Sequence, residues 1–152
     1  MAFGQAANLS LKGRALRLLA AREQSRAELQ RRLASFEEQP GELKTVLDEL
    51  GAKGFIDEQR VVDSLVYRRS GKLGSARIRH ELQGKGLDPA MVLDAVAGLQ
   101  ASEFARAREI WQKKFGATPG NASERGKQMR FLVSRGFSGD VIRRVLGGEG
   151  ED

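Results

Sequence analysis

The sequence predicts an all-α fold of three tandem three-helix units of helix-turn-helix type, joined in an elongated array. Three observations predict it. Apolar residues recur at helical spacing along most of the chain, and no run alternates as a strand would. Capping and turn residues punctuate that pattern at short intervals. Finally, one phrase is written twice: KGLDPAMV, Lys85 to Val92, and RGFSGDVI, Arg135 to Ile142.

Residues 1–8 read as an N-terminal segment, and the first unit spans 9–54. Its first helix carries the stripe Leu11, Ala15, Leu18 and Leu19. SRAE, Ser25 to Glu28, is a capping box opening its second helix. The second unit spans 55–100. Asp57 caps a helix with Val61, Val62, Leu65 and Val66 on one face. A second helix starts near Gly74–Ser75 and buries Ile78 and Leu82; a third starts at Asp88 and buries Val92, Ala95, Val96 and Leu99. The third unit spans 101–147. It begins near Ser102 with the stripe Phe104, Ala107, Trp111 and Phe115, and GATPGNAS, Gly116 to Ser123, is a loop by composition. Residues 148–152 read as a disordered acidic tail.

The doubled phrase has a backbone meaning. Gly86 and Gly136 suit left-handed helix C-caps. Asp88 and Ser138 suit N-caps, and Pro89 suits the first helical position. Leu87 with Val92, and Phe137 with Ile142, fit hydrophobic staples. Any one such turn is ordinary, but the repetition is not. A shift of 49 residues puts Leu33 on Leu82, Pro40 on Pro89, Leu43 on Val92, Leu47 on Val96 and Leu50 on Leu99. A shift of 50 puts Leu82 on Leu132, Gly86 on Gly136, Val92 on Ile142 and Val96 on Leu146. The first copy is the poorest, with Glu37 and Glu38 standing where the second has Gly86 and Leu87. A unit of about fifty residues buries only a modest core alone. Units touching only their neighbours form an elongated body.

Composition excludes several function classes. There is no cysteine, hence no disulfide framework or thiolate site, which fits a reducing cytoplasm. His80 is the only histidine, so histidine triads and multi-histidine metal sites are out. Asp48–Glu49 and Asp57–Glu58 are adjacent acids that point in different directions on a helix. No phosphate loop ends in Lys-Ser or Lys-Thr. Neither an enzyme nor a cofactor is expected. No apolar run approaches the roughly 18 residues of a membrane helix. The first 22 residues are basic and free of acids, as a mitochondrial presequence would be, but their leucines are needed in the first helix.

Net charge is +6, and its distribution says more than its sum. From Arg68 to Gly86 six bases (Arg68, Arg69, Lys72, Arg77, Arg79, Lys85) face one acid, Glu81. From Phe104 to Leu146 ten bases face Glu109, Glu124 and Asp140. Ahead of both, from Phe36 to Asp63, eight acids face Lys44, Lys53 and Arg60. Such blocks fit a protein with one side toward a polyanion and another toward a protein. Nucleic acid is the natural polyanion; contact with five phosphates of a single strand would give a log–log salt slope of about −3.5. ARIRHELQGKGL can also be read as a recognition helix, residues 75–85, of a transcription regulator. A third reading is a general nucleic-acid binder. Aromatic residues make up only 6%; Trp111 and Phe115 fit a core better than base stacking, while Tyr67 fits either.

GFIDEQRVVDSLVYRR, GKLGSARIRHELQGKGLD and RFLVSRGFSGDVIRRVL resemble the RecX family of bacterial recombination regulators. Order, spacing and threefold repetition match from about Leu9 to Leu146, and the middle segment is the most specific. The family usually has a second aspartate where Glu58 stands, and often alanine at Val62; neither departure alters the capping chemistry. The resemblance implies a curved array of tandem three-helix repeats. It also implies binding to the RecA recombinase, chiefly as its helical filament on single-stranded DNA. Inhibition of ATP hydrolysis and strand exchange would follow, with filament growth limited or disassembly promoted. Single- and double-stranded DNA are further expected contacts, and the chain is expected to be a cytoplasmic monomer. The expected binding face comprises Arg68, Arg69, Lys72, Arg77, Arg79 and Lys85 from the middle copy. The last copy would add Lys113, Lys114, Arg125, Lys127, Arg130 and Arg135.

Overall fold

The computed structural model describes residues 9–150; the expected segment 1–8 and the last two residues of the tail lie outside the described residues. Among the described residues the fold is all-α, as expected. The helices are α1 Leu11–Ala21, α2 Arg26–Leu33, α3 Glu42–Ala52, α4 Glu58–Arg69, α5 Ser75–Gly84, α6 Pro89–Ala101, α7 Glu103–Lys114, α8 Ala122–Ser134 and α9 Gly139–Leu146. A 3₁₀ turn, Ala34–Phe36, follows α2.

The helices begin where side-chain oxygens meet unpaired amides. Ser25 and Glu28 complete the capping box of α2, with Glu28 N–H donating to Ser25 Oγ at 3.1 Å and Ser25 N–H to Glu28 Oε1 at 3.0 Å. Asp57 accepts from Arg60 N–H at 3.1 Å, Asp88 from Ala90 N–H at 2.9 Å and Ser138 from Val141 N–H at 3.2 Å. Each is worth about 1 kcal/mol by comparison with capped helices elsewhere. Two starts differ from expectation. Asn121 caps α8 by accepting from Glu124 N–H at 2.9 Å, so the helix opens two residues inside the expected loop. Pro40 lies in the turn before α3 rather than at its first position. There Glu37 accepts from Leu43 N–H at 2.8 Å, and Glu42 accepts from Glu38 and Gln39 N–H, both at 3.3 Å. Carboxylates thus supply in the first copy the capping that Asp88 supplies in the second, and the left-handed residue is Gly41, φ +86°, directly before α3.

The chain divides into two compact units. One holds the residues up to Ser64 together with Lys85–Leu87; the other holds Leu65–Gly84 and everything from Asp88 onward. The first unit packs Leu11, Ala15, Leu29, Leu33, Leu43, Leu47 and Leu50 into one core. In the second, Ala107, Trp111, Leu132, Phe137, Val141, Ile142, Val145 and Leu146 form another. Ile78, Leu82, Val92, Val96 and Leu99 are buried as well. Every leucine, isoleucine or valine named above in the shifts of 49 and 50 is buried, so these repeated positions are core-facing ones.

The doubled phrase marks where consecutive copies touch. Gly86 has φ +67°, and a methyl group there would meet Ala27 Cβ at 2.6 Å. Beside it Ser25 Oγ donates to Lys85 O at 2.5 Å, and Lys85 Nζ to Glu28 Oε2 at 3.2 Å. Gly136 has φ +90° and lies against Arg77. Gly74 N–H donates to Arg135 O at 2.7 Å and Ala76 N–H to Gly136 O at 3.3 Å. The glycine turn of each later copy therefore sits on the start of the second helix of the copy before it. In both places only glycine allows the backbone conformation and the close approach together.

Candidate functional site

The cations that the structure brings together surround Phe131. A shallow cavity of about 290 Å³ is lined by Lys72, Lys113, Lys114, Arg135, Ile110, Phe131 and Gly71. Lys113 and Lys114 end α7, Phe131 lies in the last turn of α8, Arg135 caps α8, and Lys72 lies between α4 and α5.

Buried polar contacts fix these elements. Trp111 Nε1 donates to Gln128 Oε1 at 2.8 Å, and Gln128 Nε2 to Ala117 O at 3.1 Å, tying α7 to α8 beneath the cavity. Arg106 bridges toward Lys72. Its Nη1 donates to Ser70 O at 2.9 Å and Leu73 O at 2.6 Å, and its Nη2 to Leu99 O at 2.9 Å. Burial lowers the Arg106 pKa, with Glu103 opposing, yet a guanidinium remains charged at any physiological pH. Glu103 in turn accepts from Ser75 N–H at 3.0 Å and Ser75 Oγ at 2.9 Å. Nothing in the local sequence signals this cap, because its carboxylate comes from 28 residues away.

Within the cavity Phe131 is an anchor for charge. Phe115 meets it edge-on at 5.4 Å, Arg135 Cζ lies 4.9 Å from the ring centroid and Lys114 Nζ 5.5 Å. Those cation–π contacts orient the two heads at a fraction of a kcal/mol to about 1 kcal/mol each at an exposed site. Lys113 pairs with Glu109 at 3.3 Å, a contact weakened by solvent since both side chains are at least 70% exposed. Four cations around an apolar floor can hold an anionic group and an apolar one at once.

The remaining expected residues divide in two. Arg68, Arg79, Arg125, Lys127 and Arg130 are exposed and make no ion pair among the described residues, but they do not line the cavity. Arg69, Arg77 and Lys85 are engaged structurally. Arg69 faces Glu81 at 3.4 Å, Arg77 Nη1 donates to Ser134 O at 2.7 Å, and Lys85 pairs with Glu28, leaving its side chain only 12% exposed. Sequence reasoning missed Ile110 and Phe131. Their signal was present, since both interleave with bases at helical spacing. Among the described residues no three His, Cys, Asp or Glu side chains converge as a metal site would require, and no helix is long and apolar enough to cross a membrane.

Comparison with known proteins supplies the family. The Regulatory protein RecX of Leptothrix cholodnii is 54% identical over 138 residues, covering 91% of this chain and 88% of its own. The chain belongs to the RecX family. The Regulatory protein RecX of Herminiimonas arsenicoxydans is 45% identical, covering 91% of each chain. A family model described as RecX, third three-helix domain, matches residues 101–146, which hold α7 to α9 and most of the cavity. A crystal structure of RecX from Lactobacillus salivarius has the same fold, with a TM-score of 0.71 at 20% identity over 91% of this chain and 94% of that one. A second crystal structure, of a regulatory protein RecX, gives a TM-score of 0.72 at 19% identity over 89% of this chain and 70% of that one.

Proposed function

We propose that this RecX-family chain regulates the RecA recombinase by binding its filament on single-stranded DNA. It inhibits ATP hydrolysis and strand exchange, and so limits filament growth or promotes disassembly. It acts as a cytoplasmic monomer with no cofactor and no catalysis of its own. The observation that carries this reading is the cavity around Phe131, where bases from two copies converge on an apolar floor. Exposed Arg68, Arg79, Arg125, Lys127 and Arg130 extend the cationic surface toward protein or phosphate.

The docking of α5 disfavours duplex reading. A recognition helix reaches base edges with its N-terminal residues. Here Gly74 and Ser75 are buried, and Arg77 holds the Ser134 carbonyl.

The test is a titration of ATP hydrolysis on preformed filaments at protein well below the number of DNA sites. Wild type inhibits, and Lys72→Glu/Lys113→Glu/Lys114→Glu requires at least tenfold more protein while keeping helicity and melting temperature. Equal inhibition by the triple variant rejects this face. A chain that binds single strands with a salt slope, yet inhibits only by competing for DNA, is a general nucleic-acid binder instead.

A further inference from the structure

The first unit contains a second cavity of the same kind, formed by residues outside the basic blocks singled out in the sequence. It measures about 320 Å³ and is lined by Leu9, Arg14, Arg17, Leu18, Arg32, Leu33 and Phe36. The repeat explains it. Buried Leu11 and Ala15 on α1 correspond to buried Ala107 and Trp111 on α7; buried Leu29 and Leu33 on α2 correspond to Gln128 and Leu132 on α8. In that register Arg14 falls on Ile110, Arg17 on Lys113, Leu18 on Lys114, Arg32 on Phe131 and Phe36 on Arg135. All five partners line the cavity around Phe131.

The contents match although the positions trade places. Each cavity has one phenylalanine ring under a guanidinium: Arg14 Cζ lies 3.9 Å from the Phe36 centroid, as Arg135 lies 4.9 Å from Phe131. Ring and arginine have exchanged between the two α2- and α8-side positions. Each rim adds a cation at the same helical position, Arg17 or Lys113. Arg17 and Arg32 are exposed and make no ion pair among the described residues. Charge on the rim with an apolar floor is thus kept by two different sets of side chains.

We propose that both cavities seat one kind of occupant, a short acidic protein segment that carries an apolar side chain. The apolar side chain rests on the floor made by Leu18, Leu33 and Phe36, or by Ile110 and Phe131, and flanking carboxylates meet the rim. A single strand of nucleic acid fits less well. Its bases would need bare ring faces, but guanidinium groups already lie over both rings, and its phosphates gain nothing from an aliphatic floor. Two like pockets on one chain suit a partner presenting the same segment repeatedly, because the second engagement is then intramolecular. The inference rests on the reading of this chain as a regulator of a polymeric protein.

The probe is a fluorescein-labelled peptide, EDLFEDGSGSEDLFED, titrated with the intact chain and followed by anisotropy. Wild type binds it. Arg17→Glu/Arg32→Glu and Lys113→Glu/Lys114→Glu each remove one of the two sites that wild type fills at saturation, the two together weaken binding at least tenfold, and Arg17→Lys/Arg32→Lys keeps both sites. Circular dichroism of all four variants matches wild type. Replacing Leu and Phe of the peptide by Ser must also cost at least tenfold. Equal binding of that Ser peptide, or of the native peptide by R17E/R32E, overturns the proposal. So does oligo(dT) binding that is lost in R17E/R32E while the peptide fails to bind. ATP hydrolysis on filaments is measured in parallel. A wild type that binds the peptide but does not inhibit sinks the regulator reading alone; one that inhibits but ignores the peptide sinks this inference alone.

Discussion

The turns at Lys85–Leu87 and Arg135–Phe137 make the same left-handed bend over the same part of the preceding copy, yet they are held by different chemistry. The earlier turn is held by side chains: the Ser25 hydroxyl, and the Lys85–Glu28 pair whose side chains are 12% and 10% exposed. The later turn is held by backbone amides of Gly74 and Ala76, with Arg77 reaching Ser134 O. The difference decides which cation is available for binding. Lys85 is consumed by its turn, whereas Arg135 contributes only its carbonyl and keeps its guanidinium over Phe131.

The largest test of the comparison is a methyl group in each turn. Gly136→Ala combines a positive φ with contact to Arg77, including its backbone nitrogen at 2.8 Å, which cannot rotate away. It should cost roughly 3 kcal/mol or more in urea unfolding. Gly86→Ala meets only the Ala27 methyl group, so roughly 2 kcal/mol is expected. Adding Ala27→Gly should recover part of that second loss and none of the first. Equal costs for both glycines would break the distinction.

Removing the acid from the earlier turn comes next. Desolvation raises the Glu28 pKa, but the Ser25 amide, then Lys85 and Arg22, outweigh it and hold the carboxyl below its usual 4.5. A lowered folded pKa means stability that is full above pH 4.5 and is lost as pH falls through the folded value. Glu28→Gln should therefore cost about 2 kcal/mol at neutral pH. Its melting temperature should converge on wild type as pH drops below 4.5. The later turn has Arg77 at the matching position and should show no such dependence. Ser75→Ala, which removes one of two bonds to Glu103, should cost about 1 kcal/mol by thermal unfolding.

The smallest effect has the opposite sign. Burial raises the Glu58 pKa, aided by Glu28 and Asp57 and opposed by the Arg26 amide and charge, and its Oε2 is buried without a partner. A raised carboxyl pKa makes the folded state most stable below pH 4.5 and less so as pH climbs through the folded value. Glu58→Gln should raise the melting temperature at pH 7 by a degree or so, and leave it unchanged in acid. A lower melting temperature at pH 7 would show that the carboxylate is stabilising where it sits.

Much of the fold was legible because its signals are local. The SRAE box, Asp57, Asp88 and Ser138 cap within four residues, and the leucines, isoleucine and valines named in the shifts of 49 and 50 are all buried. The first copy was less legible: Glu37 caps α3 by reaching Leu43 N–H, a bond across six residues, and the left-handed glycine stands at Gly41, off the register of Gly86. The candidate site was legible only as charge. Two basic blocks were apparent, but not that Lys72 meets Lys113, Lys114 and Arg135 while Arg125, Lys127 and Arg130 stay apart. The first cavity was overlooked because Arg14, Arg17 and Arg32 precede an acidic block and look like solvated helix faces.

By itself the sequence determined the helices, their caps and the core-facing stripe, since each depends on contacts one or two turns apart. Only the tertiary structure decided which cations hold the fold and which face outward. A lysine beside a glycine turn reads the same in either role. Lys85 is tied to Glu28, 57 residues away, whereas Arg135 keeps its guanidinium over Phe131 because backbone amides hold its turn instead.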